Sequence, residues 1–476
     1  MIVLSAASEL YPLVKTGGLA DVAGALPAAL AAQGVRMVSF VPGYPAVLTA
    51  LAEAEVVHHF PELMGEPARI LKGVAAGVEV LALDAPHLFN RAGNPYLGPD
   101  GRDWPDNAQR FAAFSSAAAM VARGLIAGFQ PDLVHAHDWQ AALTAAHMHY
   151  GGGPPAVVTI HNLAFQGLFP ASVFPLLGLP PQAFAVEGVE YYGGLSFLKG
   201  GLATAAAITT VSPSYAEEIL GPREGMGLDG LLRARESVLT GILNGIDTRI
   251  WDPASDPLIA QSYTAKSLAR RSANRKALAR RFNLKADDGL LVAVVSRFTA
   301  QKGIDLLAAA IAPLVRDGVS FALLGSGERG LEEALAREAS AQPGRVGLIT
   351  GYDEALSHVV QAGADAILVP SRFEPCGLTQ MYGLRYGALP IVARVGGLAD
   401  TVIDANEAAL AAGVATGFQH APESADALIH AVRRAQALHR RGGPWQALQK
   451  NAMAADVSWA RSAARYAALY SSLSKV

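Results

Sequence analysis

Arg297 and Lys302 lie five residues apart in VSRFTAQKG (Val295 to Gly303), between an apolar run and the next helical stretch. A guanidinium grips two oxygens at once and an ammonium adds a compact charge, so the pair suits a diphosphate; a solvated surface pair is the plain alternative. VPSRFEPCGLTQMYGLRYG (Val369 to Gly387) has a similar layout. There a strand ends, Pro375 shapes a turn, and Gly377 is expected to open an apolar-faced helix. Free amides at Gly377, Leu378 and Thr379, with the Thr379 hydroxyl, would then make a phosphate cradle. A carboxylate beside bound phosphate is repelled, so Glu374 fits sugar hydroxyls better, unless it serves only the helix macrodipole. Cys376 reads as a packing or backbone-contact residue, because a thiolate nucleophile needs a base that the sequence does not identify.

The pentapeptide GGLAD occurs in KTGGLADV (Lys15 to Val22) and again in RVGGLADTV (Arg394 to Val402). Both copies follow an apolar run, and glycine there permits close backbone approach with free amides aimed at an anion. The near-copy KGGLAT (Lys199 to Thr204) precedes its strand and is put down to composition.

VHAHDW (Val134 to Trp139) and TIHNLAFQG (Thr159 to Gly167) each set polar residues just past a strand. His135, His137 and Asp138 invite a metal reading, but no second ligand cluster supports it. His161 is the stronger candidate, at a strand terminus, against the equally common buried structural histidine. The stretch Asn90 to Asn107 is dense in Gly, Pro, Asn and Asp, with Tyr96 and Trp104 embedded. Aromatic faces beside amides suit a carbohydrate; a disordered surface loop is the alternative.

The elements that must hold these residues read as two series. Strand, loop, helix and strand from Ile2 to Val41 form a βαβ unit, continued by runs at Asp132 to Ala136, Ala156 to Ile160 and Ala207 to Ser212. After a polar segment from Gln261 to Lys285, a second series begins with LLVAVVS, FALLGSG, VGLIT, DAILVP and PIVA. Continuous apolar strands alternating with helices imply α/β, doubly wound parallel sheets. At 476 residues two domains are expected, with a ligand cleft between the carboxyl ends of their strands. With 41 acidic and 38 basic residues, broad nucleic-acid or membrane binding is not expected. A lone cysteine, Cys376, and the absence of a basic signal-like start or a long apolar run suggest a cytoplasmic protein.

KTGGLADVAGALP, GNPY, HAHDW, HNLAFQG, TVSPSYAEEI, GILNGIDTRIWDP, SRFTAQKG and RFEPCGLTQMYGLRYG, continuing to VGGLADTV, span nearly the whole chain in order. In these segments it closely resembles bacterial glycogen synthases and the related plant starch synthases. The resemblance implies the GT-B fold: Rossmann-like domains over 1–246 and 247–455, with a C-terminal helix, about 456–476, crossing back onto the first. It also implies retaining transfer of glucose from ADP-glucose to the nonreducing 4-hydroxyl of an α-1,4-glucan, glycogen, with no cofactor and no metal. By position, Lys15 and the backbone at Gly18 would meet the donor phosphates, as would Arg297, Lys302 and the helix at Gly377. His161 would orient the donor sugar, Glu374 would hold its hydroxyls, and Tyr352 would contact the adenine. Asp21, Asp138, Asn162 and Asn244 are further cleft residues by the same comparison.

Many GT-B transferases carry a second Glu eight positions after the first; Tyr382 stands there, a feature that glycogen and starch synthases share. The absence of an added carbohydrate-binding domain favours the bacterial form. Other readings are a GT-B epimerase or hydrolase, a noncatalytic glucan binder, and a nicotinamide-dependent oxidoreductase. The last lacks a clean GxGxxG after the first strand.

Overall fold

The computed structural model describes residues 1–285, 287–351 and 353–474. The chain divides into two compact units, Met1–Asn244 together with Trp459–Val476, and Gly245–Ser458.

The first unit is built on nine strands: β1 (Ile2–Ala6), β2 (Arg36–Pro42), β3 (Glu55–Leu63), β4 (Glu66–Ala75), β5 (Val78–Asp84), β6 (Leu133–His137), β7 (Ala156–Ile160), β11 (Ala207–Thr210) and β12 (Leu239–Gly241). Their order is β12-β11-β7-β6-β1-β2-β5-β4-β3. The six strands at β12 to β2, with β5 beside β2, run parallel, as their continuous apolar sequences require. β3 and β4 correct the all-parallel expectation, since β3 pairs antiparallel with β4 and β4 antiparallel with β5. Edge strand β3, EVVHHFPEL, is largely exposed, so it lacks the apolar continuity of a buried parallel strand. A small antiparallel sheet, β8 (Leu168–Pro170), β9 (Glu190–Tyr191) and β10 (Gly194–Ser196), lies in the segment after β7.

Small residues let the covering helices approach closely. In the helix Phe197–Thr204, a Cβ added at Gly201 would lie 2.6 Å from both the Cβ and the carbonyl oxygen of Ala142, in the helix Asp138–Gly151. KGGLAT therefore belongs to a helix interior where glycine serves packing. The last helix, Ala460–Leu473, docks on this unit with Trp459, Ala463, Tyr466 and Tyr470 at helical spacing. They close a core with Val3, Val22, Leu26, Leu30 and Met37.

The second unit has six strands, β13 (Leu291–Val295), β14 (Ser320–Gly325), β15 (Val346–Thr350), β16 (Ala366–Val369), β17 (Leu389–Ala393) and β18 (Phe418–His420), all parallel in the order β15-β14-β13-β16-β17-β18. Within it the outgoing and returning segments pair, Ile246 N–H donating to Val457 O at 2.9 Å. Among the parallel strands the winding switches direction between β1 and β6 in the first sheet and between β13 and β16 in the second. Loops leaving the carboxyl ends of such strands diverge, which is where open α/β sheets bind ligands.

We expect Gly201→Ala to cost about 1–3 kcal/mol of overpacking. Gly230→Ala, at an exposed helical site with no atom within 4 Å of the new Cβ, should gain about 0.4–1 kcal/mol. Calorimetric melting checks both, and equal shifts in the same direction would contradict the packing account.

Candidate active site

The loop leaving β13 carries Arg297 and Lys302, and the loop leaving β16 carries Ser371 to Gly377, so the switch in the second sheet brings the two segments together. Lys302 Nζ lies 2.6 Å from Glu374 Oε2, which also accepts the Ser371 hydroxyl at 2.8 Å. The pair is largely buried, with side chains 18% and 9% exposed. Arg297 is exposed and has no ion pair among the described residues. The ammonium and the Ser371 hydroxyl compensate the Glu374 charge in its largely buried position.

The helix expected from Gly377 begins at Thr379 (Thr379–Tyr386), with Leu378 as its cap. Gly377 has φ +72°, a left-handed conformation that cannot continue a right-handed helix. The leading amides of this helix have no intrahelical acceptor. Cys376 is buried; its carbonyl accepts Gln380 Nε2 at 3.0 Å, as does that of Gly377.

The second GGLAD copy does not offer a free nest. Gly397 N–H is spent on the Glu374 and Pro375 carbonyls, at 3.1 and 3.2 Å. A Cβ at Gly397 would meet Cys376 O at 2.3 Å and Cys376 Cα at 2.4 Å. This copy therefore holds the turn that presents Glu374.

At the switch in the first sheet, the loop after β1 is folded around Glu9, 4% exposed. Its carboxylate accepts Thr16 N–H at 2.6 Å, Thr16 Oγ1 at 2.5 Å, Gly17 N–H at 3.3 Å and Tyr96 OH at 2.6 Å. The Tyr96 hydroxyl, which also contacts Ser8 Oγ at 2.7 Å, thus ties the 90–107 loop to the glycine loop. That segment is ordered, with Trp104 under the Arg91 guanidinium at 4.8 Å. Gly18 opens the helix Gly18–Ala31, and Lys15 Nζ pairs with Asp21 Oδ1 at 2.8 Å beside the Tyr11 ring. Asn244 is buried, and its Oδ1 has no hydrogen-bond partner among the described residues.

Asp138 starts the helix after β6 at φ +55°, strained for a residue with a Cβ. Its Oδ1 accepts His161 N–H at 2.7 Å. Burial pushes its pKa up to about 7, against the pull of the His161 and Asn162 backbone donors. His161 Nε2 lies 3.0 Å from His137 Nδ1. Asn162 Oδ1 caps the turn by accepting Ala164 N–H at 3.0 Å. Burial holds His135 and His161 well below the ordinary imidazole range and His137 down to about 3. The His135 nitrogens are used by Thr159 Oγ1 at 2.5 Å and Tyr470 OH at 2.7 Å. Among the described residues no group of three or more His, Cys, Asp and Glu is arranged to hold a metal. No helix among them is long and apolar enough to cross a membrane. Tyr352, expected at the adenine, lies outside the described residues.

Glu9, Ser5 and Ser371 were not anticipated. For Glu9 the available signal is a carboxylate just beyond a strand end and shortly before a double glycine; Ser5 and Ser371 carry no local signal.

Two Rossmann-like units, each presenting polar residues at its switch, define a glycosyltransferase of the GT-B type. Residues 2–234 match the starch synthase catalytic domain family, and 276–441 match glycosyl transferases group 1. The chain is 58% identical over 474 residues to a glycogen synthase of Methylocella silvestris, covering 99% of this chain and 98% of the relative. It is 57% identical over 473 residues to one from Rhodopseudomonas palustris strain BisB18, covering 99% and 97%. The chain belongs to the glycogen synthase family. Among solved structures it is similar to the catalytic domain of starch synthase IV from Arabidopsis thaliana bound to ADP and acarbose, at TM-score 0.88 and 30% identity over 100% of this chain and 99% of that one. A sucrose-phosphate synthase from Thermosynechococcus elongatus shares the fold, at TM-score 0.60 and 20% identity over 99% and 98%.

Two outcomes test this geometry. Gly397→Ala should displace the Glu374 turn and lower turnover by about tenfold or more. Gly17→Ala, where nothing lies within 4 Å of the added Cβ, should leave the melting temperature unchanged and raise the donor KM if the donor approaches this backbone. Steady-state kinetics with melting curves decide; unaltered turnover in Gly397→Ala would sink the first. Separately, a carboxyl with its folded pKa near 7 costs stability as pH rises from the unfolded value near 4 through 7. Asp138→Asn, which keeps an acceptor oxygen and tolerates positive φ, should therefore gain stability relative to wild type across that window and level off above it. A stability difference that is flat with pH would refute the shift.

Proposed function

We propose that the protein transfers glucose from ADP-glucose, with retention, to the nonreducing 4-hydroxyl of an α-1,4-glucan, elongating glycogen in the cytoplasm. The observation that carries the reading is the Lys302–Glu374 pair at the switch of the second sheet: a cation for a leaving diphosphate joined to an acceptor for sugar hydroxyls. Likeness over the whole chain to a starch synthase solved with ADP and acarbose supports the substrate classes.

Breaking the anomeric C–O bond releases a diphosphate, so fixed positive charge at the leaving group and positioning of the sugar supply the acceleration. In this reading Lys15, Arg297 and Lys302 meet the diphosphate, with the backbone at Gly18 and the amides from Gly377 to Thr379. These cations bring the charge that a divalent ion would otherwise supply, and no cofactor is invoked. Glu374 holds sugar hydroxyls, and Lys302 and Ser371 keep its charge compensated beside the phosphates. His161 orients the sugar and faces the cation-like transition state through its carbonyl or ring. Tyr352 contacts the adenine. Asp21, Asp138, Asn162 and Asn244 support these groups, while Tyr96 and Cys376 act through the loops they hold.

ADP release measured with and without glycogen tests the function. A synthase needs the acceptor for fast release, whereas acceptor-independent release would indicate a hydrolase or epimerase. Running UDP-glucose in parallel sets the nucleotide preference. We expect Lys302→Ala to lower turnover by about 10²- to 10³-fold, the cost of deleting one preorganised electrostatic donor. That change also strands Glu374 in a buried site, so Lys302→Ala/Glu374→Gln should recover melting temperature without recovering turnover. Wild-type turnover in Lys302→Ala would remove the assigned role.

A further inference from the structure

Ser5 in β1, His137 at the end of β6 and His161 just past β7 form one hydrogen-bonded line. Ser5 Oγ lies 3.2 Å from His137 Nε2, and His137 Nδ1 lies 3.0 Å from His161 Nε2. Ser5 and His137 are sealed from solvent, at 1% and 0% exposure, whereas His161 is half-buried. Each imidazole is neutral under the burial described above, so each ring carries one proton and has one acceptor nitrogen.

Counting protons gives the line a direction. Among the described residues, His137 Nε2 is the only hydrogen-bond partner of Ser5 Oγ. If His137 donated to Ser5, the serine hydrogen would be buried with no acceptor, which native structures avoid. Ser5 therefore donates to Nε2, and His137 must carry its proton on Nδ1. That proton lies on the 3.0 Å contact and is donated to His161 Nε2. The remaining proton of His161 is then on Nδ1, which has no protein partner among the described residues. His135 does not intrude, because its nitrogens belong to the separate line through Thr159 and Tyr470.

We propose that Ser5 and His137 are positioning residues that fix His161 as the Nδ1–H tautomer, so that the ring offers a hydrogen-bond donor to the donor sugar. The consequence for the sugar rests on the role proposed for His161; the tautomer itself does not. A donor at this place selects a hydroxyl oxygen through its lone pair and leaves that hydroxyl's hydrogen free for another acceptor.

Long-range ¹H–¹⁵N correlation spectra of the full chain labelled with [¹⁵N]histidine read the tautomer without catalysis, and loss of one ring in His161→Gln assigns its signals. Wild type should show a protonated Nδ1 and a bare Nε2 at His161. His137→Asn, whose amide nitrogen replaces Nδ1–H, should preserve that pattern and most of the turnover. His137→Phe should let His161 take the Nε2–H form and lower kcat by about tenfold or more, with a smaller change in the ADP-glucose KM. If His137→Phe fails to fold, Ser5→Ala removes the donor at the far end and should mix the His161 tautomers. An Nε2–H His161 in wild type, or a His161 tautomer indifferent to the folded variant, overturns the inference. Normal turnover in His161→Ala would instead overturn the sugar-contact reading and leave the tautomer result standing.

Discussion

A carboxylate taken out of water must be surrounded by donors, and in both units the loops at the sheet switch are folded around one. Glu9 has no cation among its hydrogen-bond partners; backbone amides and hydroxyls of Thr16, Gly17 and Tyr96 take that place. Glu374 is held by Lys302 and Ser371, and Asp138 by the His161 backbone. In each case at least one donor comes from a segment distant in sequence, so satisfying one buried carboxyl fixes the relative position of two loops. The candidate site residues sit on those same loops, and their placement follows from the desolvation requirement.

The same requirement separates the two copies of GGLAD. Glycine in both permits close approach, but the sequence does not say what approaches. At Gly397 the approach is already made by Cys376, and the amide is spent on Glu374 and Pro375. Near Gly17 the space is open, and Glu9 pins the amides just before the helix while leaving the helix start itself available. One pentapeptide thus leaves its glycine loop open, and the other braces the turn that carries Glu374.

The loops that carry Arg297, Lys302 and Glu374 were legible in the sequence. Arg297, Lys302 and Glu374 sit in loops bounded by runs such as LVAVV and AILV, which are continuous because both faces of the sheet are covered. β3 was not legible, because an exposed antiparallel edge carries His58, His59 and Glu62 where the apolar run would be expected. The helix start was misplaced by two residues because a glycine before a helix can be either its first turn or a left-handed entry, and only φ decides. Ser5 was out of reach for a different reason: its partner His137 lies 132 residues away, and no local pattern encodes such a pairing; the same holds for the link from Glu9 to Tyr96, 87 residues away.

Tyr382 shows how a departure from the wider superfamily can be read from its neighbours. Its ring stacks on Trp251 at 3.7 Å, Trp251 stacks on His358 at 3.7 Å, and His358 Nδ1 and Tyr386 OH both bind Asp256, at 2.7 and 2.6 Å. Burial raises the Asp256 pKa, but the hydrogen bonds from His358, Tyr386 and the Leu258 backbone, with the nearby His358 ring, together bring it below the ordinary carboxylate value. A glutamate at 382 would set a negative charge against the electron-rich face of Trp251, with Asp252 already held nearby by Arg385. The aromatic residue is therefore coupled to Trp251 and His358 and cannot be exchanged for a carboxylate alone. The column also grips the body of the helix Thr379–Tyr386 by its flank, away from the amides at its start. Backbone donors at a helix start keep their direction only if the helix behind them cannot tilt, and this stack supplies that restraint.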